Sequence, residues 1–190
     1  MKEKIINECY CLLIIKGWKK SNLKDTSEKL GRLLAQSGHT LVYGGSKEGC
    51  MGMVSDSVIQ NKGQVIAVYP AGVLPLEPPR QNASKLYLTN DMAERKRKLI
   101  DLGEAFVILA GGFGTLEESF QLLTEMSINQ TRVRPVIFVG QKFYQPLFDL
   151  LRLQLKEGMI SKEVIDAISL VDSAEETIEL LGDLKLEQVV

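Results

Sequence analysis

The sequence predicts an α/β fold: a doubly wound parallel sheet flanked by helices. Three observations carry this prediction. Short apolar runs alternate along the chain with stretches whose apolar residues recur at helical spacing. The runs are continuous rather than alternating, as expected of strands covered on both faces. Two of them, Thr40–Tyr43 and Ala105–Ala110, pass directly into glycine-rich turns that open helices. With 190 residues the chain can bury a full core, and one domain over 1–190 is expected, with an irregular tail after about 182.

Taken in order, Cys9 to Ile15 is an apolar strand. Asp25 to Ser37 carries Leu30, Leu33 and Leu34 at helical spacing, and Gly38 closes it as a C-cap. Thr40–Tyr43 is a second strand, followed by Gly44, Gly45 and a helix to about Asn61 that Gly63 ends. Gln64–Tyr69 is a third strand. Pro70 to Ser84 is an irregular, proline-rich connection of the length often used for binding loops. A short strand, Lys85–Leu88, precedes a helix capped by Asn90 and running to Leu102. The central strand and its helix reach Asn129. Val136–Val139, an amphipathic helix Phe143–Lys156, a strand Ile168–Val171 and a helix Ala174–Leu181 complete the pattern.

Composition is ordinary for a globular protein, 45% hydrophobic and 25% charged. A net charge of −1 gives no electrostatic reason to expect nucleic acid or a membrane surface as partner. No apolar run has transmembrane length, and the N-terminal apolar stretch lacks the cleavage site of a signal peptide. Three cysteines make no disulfide framework, and a cytoplasmic location is expected.

The stretch from Ala105 to Glu118 organises the chain: a buried strand, then Gly111-Gly112-Phe113-Gly114, then a helix launched at Thr115. Unpaired N–H groups at a helix start carry partial positive charge, so the turn can hold a phosphate. The spacing alone fits a plain strand-to-helix turn equally well. Thr115 at the N-cap and Glu118 at N3 also form a capping box, so Glu118 is either a cap or a functional carboxylate.

The helix from Asn90 is the second clue. At about 100° per residue, Met92, Ala93, Leu99, Ile100 and Leu102 share an apolar arc, and Arg95 and Lys96 fall inside it. An inward cation needs an anionic partner or a polar cavity, unless its head snorkels out. Facing a glycine-rich anion loop, Arg95 reads as a ligand contact. The single histidine, His39, lies between a helix and a strand and is expected at the surface.

These pieces together resemble the LOG family, named after the rice gene "Lonely guy" and often mislabelled lysine decarboxylase. The family pattern Pro-Gly-Gly-x-Gly-Thr-x-x-Glu is represented by Ala110 to Glu118, and Met-x-x-Arg-Lys by Met92 to Lys96. Tyr-Gly-Gly-Gly followed by Gly-Leu-Met-Gly appears as Tyr43–Ser46 and Gly49–Gly52. The agreement runs from about Asp25 to Val171.

The resemblance implies a Rossmann-like sheet, a homodimer, and hydrolysis of the N-glycosidic bond of nucleoside 5′-monophosphates (AMP or cytokinin nucleotides). It implies Arg95 and Glu118 as the catalytic pair. It implies substrate contacts from Gly44, Gly45, Glu77, Lys96, Gly111, Gly112, Gly114, Thr115 and Glu117, with no cofactor or metal. A lysine decarboxylase would need a pyridoxal-phosphate lysine, and nothing in the sequence marks one. The chain departs from the family pattern at Ile15-Lys16-Gly17-Trp18, where Cys-Gly-Ser is usual, and at Ala110 and Ser46. A non-catalytic nucleotide or molybdenum-cofactor carrier on the same fold is the alternative, since it would keep the glycine loop without needing the Arg–Glu pair.

Overall fold

In a computed structural model the described residues are 8–11, 21–72 and 79–187. Seven parallel strands form one sheet in the order β4-β3-β2-β1-β5-β6-β7. They are β1 (Glu8–Cys11), β2 (Thr40–Tyr43), β3 (Val65–Pro70), β4 (Lys85–Thr89), β5 (Phe106–Leu109), β6 (Val136–Val139) and β7 (Ile168–Val171). The helices are α1 (Ser21–Gln36), α2 (Gly49–Gln60), α3 (Met92–Leu102), α4 (Phe113–Ser127), α5 (Gln141–Lys156), α6 (Lys162–Asp166) and α7 (Ala174–Glu187). The doubly wound sheet expected from the sequence is the one observed.

Each face of the sheet has its own core. Leu30 and Leu34 of α1, Val54 and Val58 of α2 and Leu181 of α7 pack with Leu41, Tyr43 and Val107. Leu99 of α3, Leu122 and Met126 of α4, Tyr144 of α5 and Val164 of α6 pack on the other face with Val42, Ile108 and Phe138. Strands β2, β3, β5 and β6 are buried along their whole length, which is why their sequences read as unbroken apolar runs.

The chain first winds from β1 outward to β2 and β3, then crosses from the edge strand β4 through α3 to β5 on the other side of β1. The direction of winding therefore reverses at β1, and ligands of such sheets bind where it does, beyond the carboxyl ends of the strands. The glycine-rich turns after β2 and β5 flank that point. With one strand between them, they lie roughly 10 Å apart at the usual strand spacing.

Several boundaries differ from those expected. Helix α1 begins at Ser21, four residues earlier, and α7 continues to Glu187 through the stretch expected to be irregular. Leu23 in the added first turn of α1 packs against the core, as does Leu181 of α7. Asp91, not Asn90, caps α3: its side chain accepts from the Glu94 N–H, while Glu94 accepts from the Asn90 N–H. Lys62, not Gly63, takes the left-handed conformation after α2. His39 is 5% exposed rather than at the surface, because the turn closing α1 folds it back beneath the helix, its N–H on the Leu34 carbonyl. Residues 12–15 of the expected first strand lie outside the described residues.

Helices α1 and α2 cross closely because Gly31 has no side chain: a Cβ there would lie 2.4 Å from the Val54 carbonyl oxygen and 2.7 Å from Ser57 Cβ. Gly31→Ala should therefore destabilise the fold by about 1–3 kcal/mol, the usual range for overpacking, even though alanine favours helix more than glycine does. Urea unfolding of the two proteins measures it; an equal or higher midpoint for the variant would contradict this packing.

Candidate active site

Arg95 meets Glu118 across the gap between α3 and α4. Its Nη1 donates to Glu118 Oε1 at 2.9 Å, and both side chains are almost fully buried, at 5% and 3% exposure. Arg95 Nε donates to the Val68 carbonyl of β3 at 3.3 Å. The guanidinium lies against Gly44, at the end of β2: a Cβ on Gly44 would fall 1.7 Å from Arg95 Nη2. Gly44 is thus required for the close approach of the arginine. Gly45, next in the turn, has φ +81°, a conformation that glycine adopts without strain.

The sequence placed Arg95 inside the apolar arc of α3, and it is there. Lys96 lies further out, 19% exposed, and donates to Glu117 at 2.6 Å. Two ion pairs therefore cross from α3 to α4, a buried one and an outer one. Glu77 lies outside the described residues, as does the segment Ile15–Trp18.

The capping-box reading of Glu118 does not hold. Helix α4 begins at Phe113 with Gly112 as its N-cap, two residues before the start expected from Thr115. Thr115 is then the third helical residue and buried, and Glu118 lies a turn further on, facing Arg95 rather than the helix start. The glycines themselves moved the boundary: Gly112 supplies the extended N-cap conformation, and no side-chain cap is formed there. The first-turn N–H groups of an α-helix have no partner within the helix, and they carry its positive end. At α4 the first turn opens with Phe113 and Gly114, beside the exposed Gly112.

Sequence reasoning missed two buried residues that hold this arrangement. Tyr144 of α5 donates its hydroxyl to the Leu109 carbonyl, the last residue of β5, at 2.8 Å. Arg134, just before β6, donates to the Ile100 and Gly103 carbonyls at the end of α3 and stacks on Phe106. Only the contact with the negative end of α3 explains a buried arginine at that place, and contacts between distant segments leave no trace in local pattern.

Glu118 Oε1 is taken by Arg95, while Oε2 has no hydrogen-bond partner among the described residues. Burial pushes the Glu118 carboxyl above the ordinary glutamate range, and the attraction of Arg95 offsets only part of that. A cavity of about 10 Å³ adjoins it, lined in part by Lys96, Phe106 and Gln121. That space cannot take a nucleotide, so a ligand must come from the strand-end side, where Gly44 and the α4 N-terminus lie. A groove of about 520 Å³ runs between α1 and α2 on the opposite face of the sheet and contains none of the candidate residues. Among the described residues there is no cluster of His, Cys, Asp and Glu able to hold a metal, and no helix long and apolar enough to cross a membrane.

A family profile described as "Possible lysine decarboxylase" matches residues 51–181. The chain is 33% identical over 174 residues to the cytokinin riboside 5′-monophosphate phosphoribohydrolase LOG of rice (Oryza sativa subsp. japonica), covering 90% of this chain and 69% of that protein. The chain belongs to the LOG family. It is also 32% identical to a cytokinin riboside 5′-monophosphate phosphoribohydrolase of Rhodococcoides fascians, over 71% of this chain and 69% of that one. The fold is shared with the molybdenum cofactor carrier protein of Chlamydomonas reinhardtii, with a TM-score of 0.70 and 17% identity over 94% of this chain and 99% of that one. The molybdenum cofactor binding protein of Rippkaea orientalis gives a TM-score of 0.68 and 19% identity, over 93% and 95% of the two chains.

The raised proton affinity of Glu118 links to stability. The folded state holds the proton more tightly than the unfolded chain does. The protonated carboxyl therefore favours folding at low pH, and that contribution is lost as pH rises from the unfolded to the folded value. Glu118→Gln abolishes this dependence. The stability of the parent relative to Glu118→Gln should accordingly fall with rising pH across the interval above the ordinary glutamate value. Denaturant unfolding of both proteins over that interval measures the slope, and a difference that rises with pH would contradict it.

Proposed function

We propose that the protein hydrolyses the N-glycosidic bond of nucleoside 5′-monophosphates, AMP or cytokinin nucleotides, to free base and ribose 5-phosphate. The observation that carries this reading is the buried Arg95–Glu118 pair beside the uncapped N-terminus of α4. The 5′-phosphate would take the first-turn N–H groups at Gly112, Gly114 and Thr115. Gly44, Gly45, Lys96 and Glu117 would border the ribose and base. Arg95 uses two of its five donors on Val68 and Glu118, and the rest can hold phosphate or ribose oxygens.

As the C1′–N bond breaks, positive charge builds on the sugar. A carboxylate at Glu118 stabilises that charge and orients water. The water oxygen bonds to C1′ as the C1′–N bond breaks, and one water proton passes to the Glu118 carboxylate. The departing base takes a proton from solvent at its nitrogen, and Glu118 then releases its proton to solvent. The elevated proton affinity of Glu118 suits it to accept the water proton.

Glu118→Gln keeps the size and a hydrogen-bond acceptor for Arg95 but supplies no negative charge. It should fold, bind a nucleoside monophosphate, and lose at least ~10²-fold in turnover. Arg95→Ala should lose turnover and bind more weakly. Base release and ligand affinity of each purified protein are the measurements. Near-parental turnover by Glu118→Gln would remove it from catalysis, and a parent that binds nucleotides without ever releasing base would favour the carrier alternative.

The protein is also proposed to be a homodimer, as the family resemblance implies. Phe113, Phe120 and Ile128 of α4 and its C-cap, with Phe143, Leu150 and Leu153 of α5, are large exposed apolar side chains on two helices that cover the same face of the sheet. Exposed apolar surface gathered on one face marks an interaction site, and a second copy would bury it. Light scattering at micromolar concentration should give twice the 21.1 kDa chain mass; a monomeric mass would exclude this pairing.

A further inference from the structure

The glycine turn after β5 is held from behind. Tyr144 is 1% exposed, packed edge-on against Phe138 with ring centroids 4.9 Å apart. Its hydroxyl donates to the Leu109 carbonyl at 2.8 Å and receives the backbone N–H of Gly111. One phenol oxygen therefore closes a bridge over the two peptide groups at which β5 becomes the turn. Burial keeps that phenol far above its ordinary range, so it stays protonated and remains a donor.

This bridge has two consequences. It commits the Gly111 N–H to the protein, which moves the anion-receiving groups one residue along, to Gly112 and the first turn of α4. It also ties the flexible dipeptide Gly111-Gly112 to α5, an element that contributes nothing else to the candidate site. Two adjacent glycines have more conformational freedom to lose than any other pair, and a turn that must present several N–H groups to one phosphate gains affinity by being fixed beforehand.

We propose that Tyr144 is a positioning residue that locks the Gly111–Gly114 turn in its anion-receiving shape, and so sets affinity for the phosphate of the substrate. This rests on the nucleotide reading of the site and extends it to a residue outside the motifs. Tyr144 itself need touch no substrate.

Tyr144→Phe tests it cleanly, because the ring and its packing remain and only the bridge is lost. The dissociation constants of ribose 5-phosphate, a nucleoside monophosphate and the corresponding nucleoside are measured for parent and variant. The expected result is a loss of roughly tenfold for both phosphate-bearing ligands, the worth of about one buried hydrogen bond. The nucleoside, lacking the phosphate, should bind unchanged. In the ligand-free variant the Gly111 amide should also exchange its hydrogen faster.

Phosphate-ligand affinities within twofold of the parent would overturn the proposal, as would an equal loss for the nucleoside, which signals general damage. If Tyr144→Phe folds poorly, Tyr144→Trp decides: its indole N–H can donate to Leu109 but offers Gly111 no acceptor, so the same phosphate-selective loss is expected, and its absence overturns the lock. A parent that binds ribose 5-phosphate yet cleaves no nucleotide would sink the hydrolase reading while leaving this comparison intact. A parent that binds no phosphate-bearing ligand would overturn both.

Discussion

The contact between Arg95 and Glu118 is the constraint to which the rest of the site conforms. A buried pair of opposite charges is a poor source of stability, because desolvating two ions consumes most of what their attraction returns. Here the balance is visible in the carboxyl, whose proton affinity stays raised despite the arginine at 2.9 Å. Hydrophobic residues of the same size would hold α3 and α4 together as well or better. The pair is therefore an expense of the fold, and the surrounding structure is shaped to keep it. Gly44 clears space for the guanidinium, the Val68 carbonyl takes one donor, and Lys96–Glu117 repeats the crossing at the surface.

How much of this could be read beforehand varied with the range of the interaction. The sheet was legible because strands buried on both faces must be apolar throughout, and Val65–Tyr69, Phe106–Leu109 and Val136–Val139 are. Arg95 was legible because helical periodicity puts a cation where only apolar residues belong. The start of α4 was misread because Thr115 and Glu118 satisfy a local capping rule that the glycines before them override. His39 was misread for a related reason. Position between two elements suggested the surface, whereas the turn after α1 folds back and covers it.

Tyr144 and Arg134 left no such trace. Each acts on backbone carbonyls more than 30 residues away, Leu109 for one and Ile100 and Gly103 for the other. Backbone atoms have no sequence signature, so a side chain that serves them looks like any other residue of its helix or loop. Tyr144 sits among the apolar residues of an amphipathic helix, and Arg134 stands before a proline at a strand entry. Their roles appear only once the fold has brought Tyr144 to the end of β5 and Arg134 to the end of α3.

The crossing from β4 at the sheet edge to β5 at its centre separates the two charges in time as well as in sequence. Arg95 precedes Glu118 by 23 residues, roughly one to five seconds of ribosomal synthesis. During that interval α3 carries a cation on the face it will later bury, and it cannot dock dry against β2 and β3. Burying that face is costly until α4 supplies Glu118. The pair thus ties burial of the inner face of α3 to the later part of the chain that completes the site.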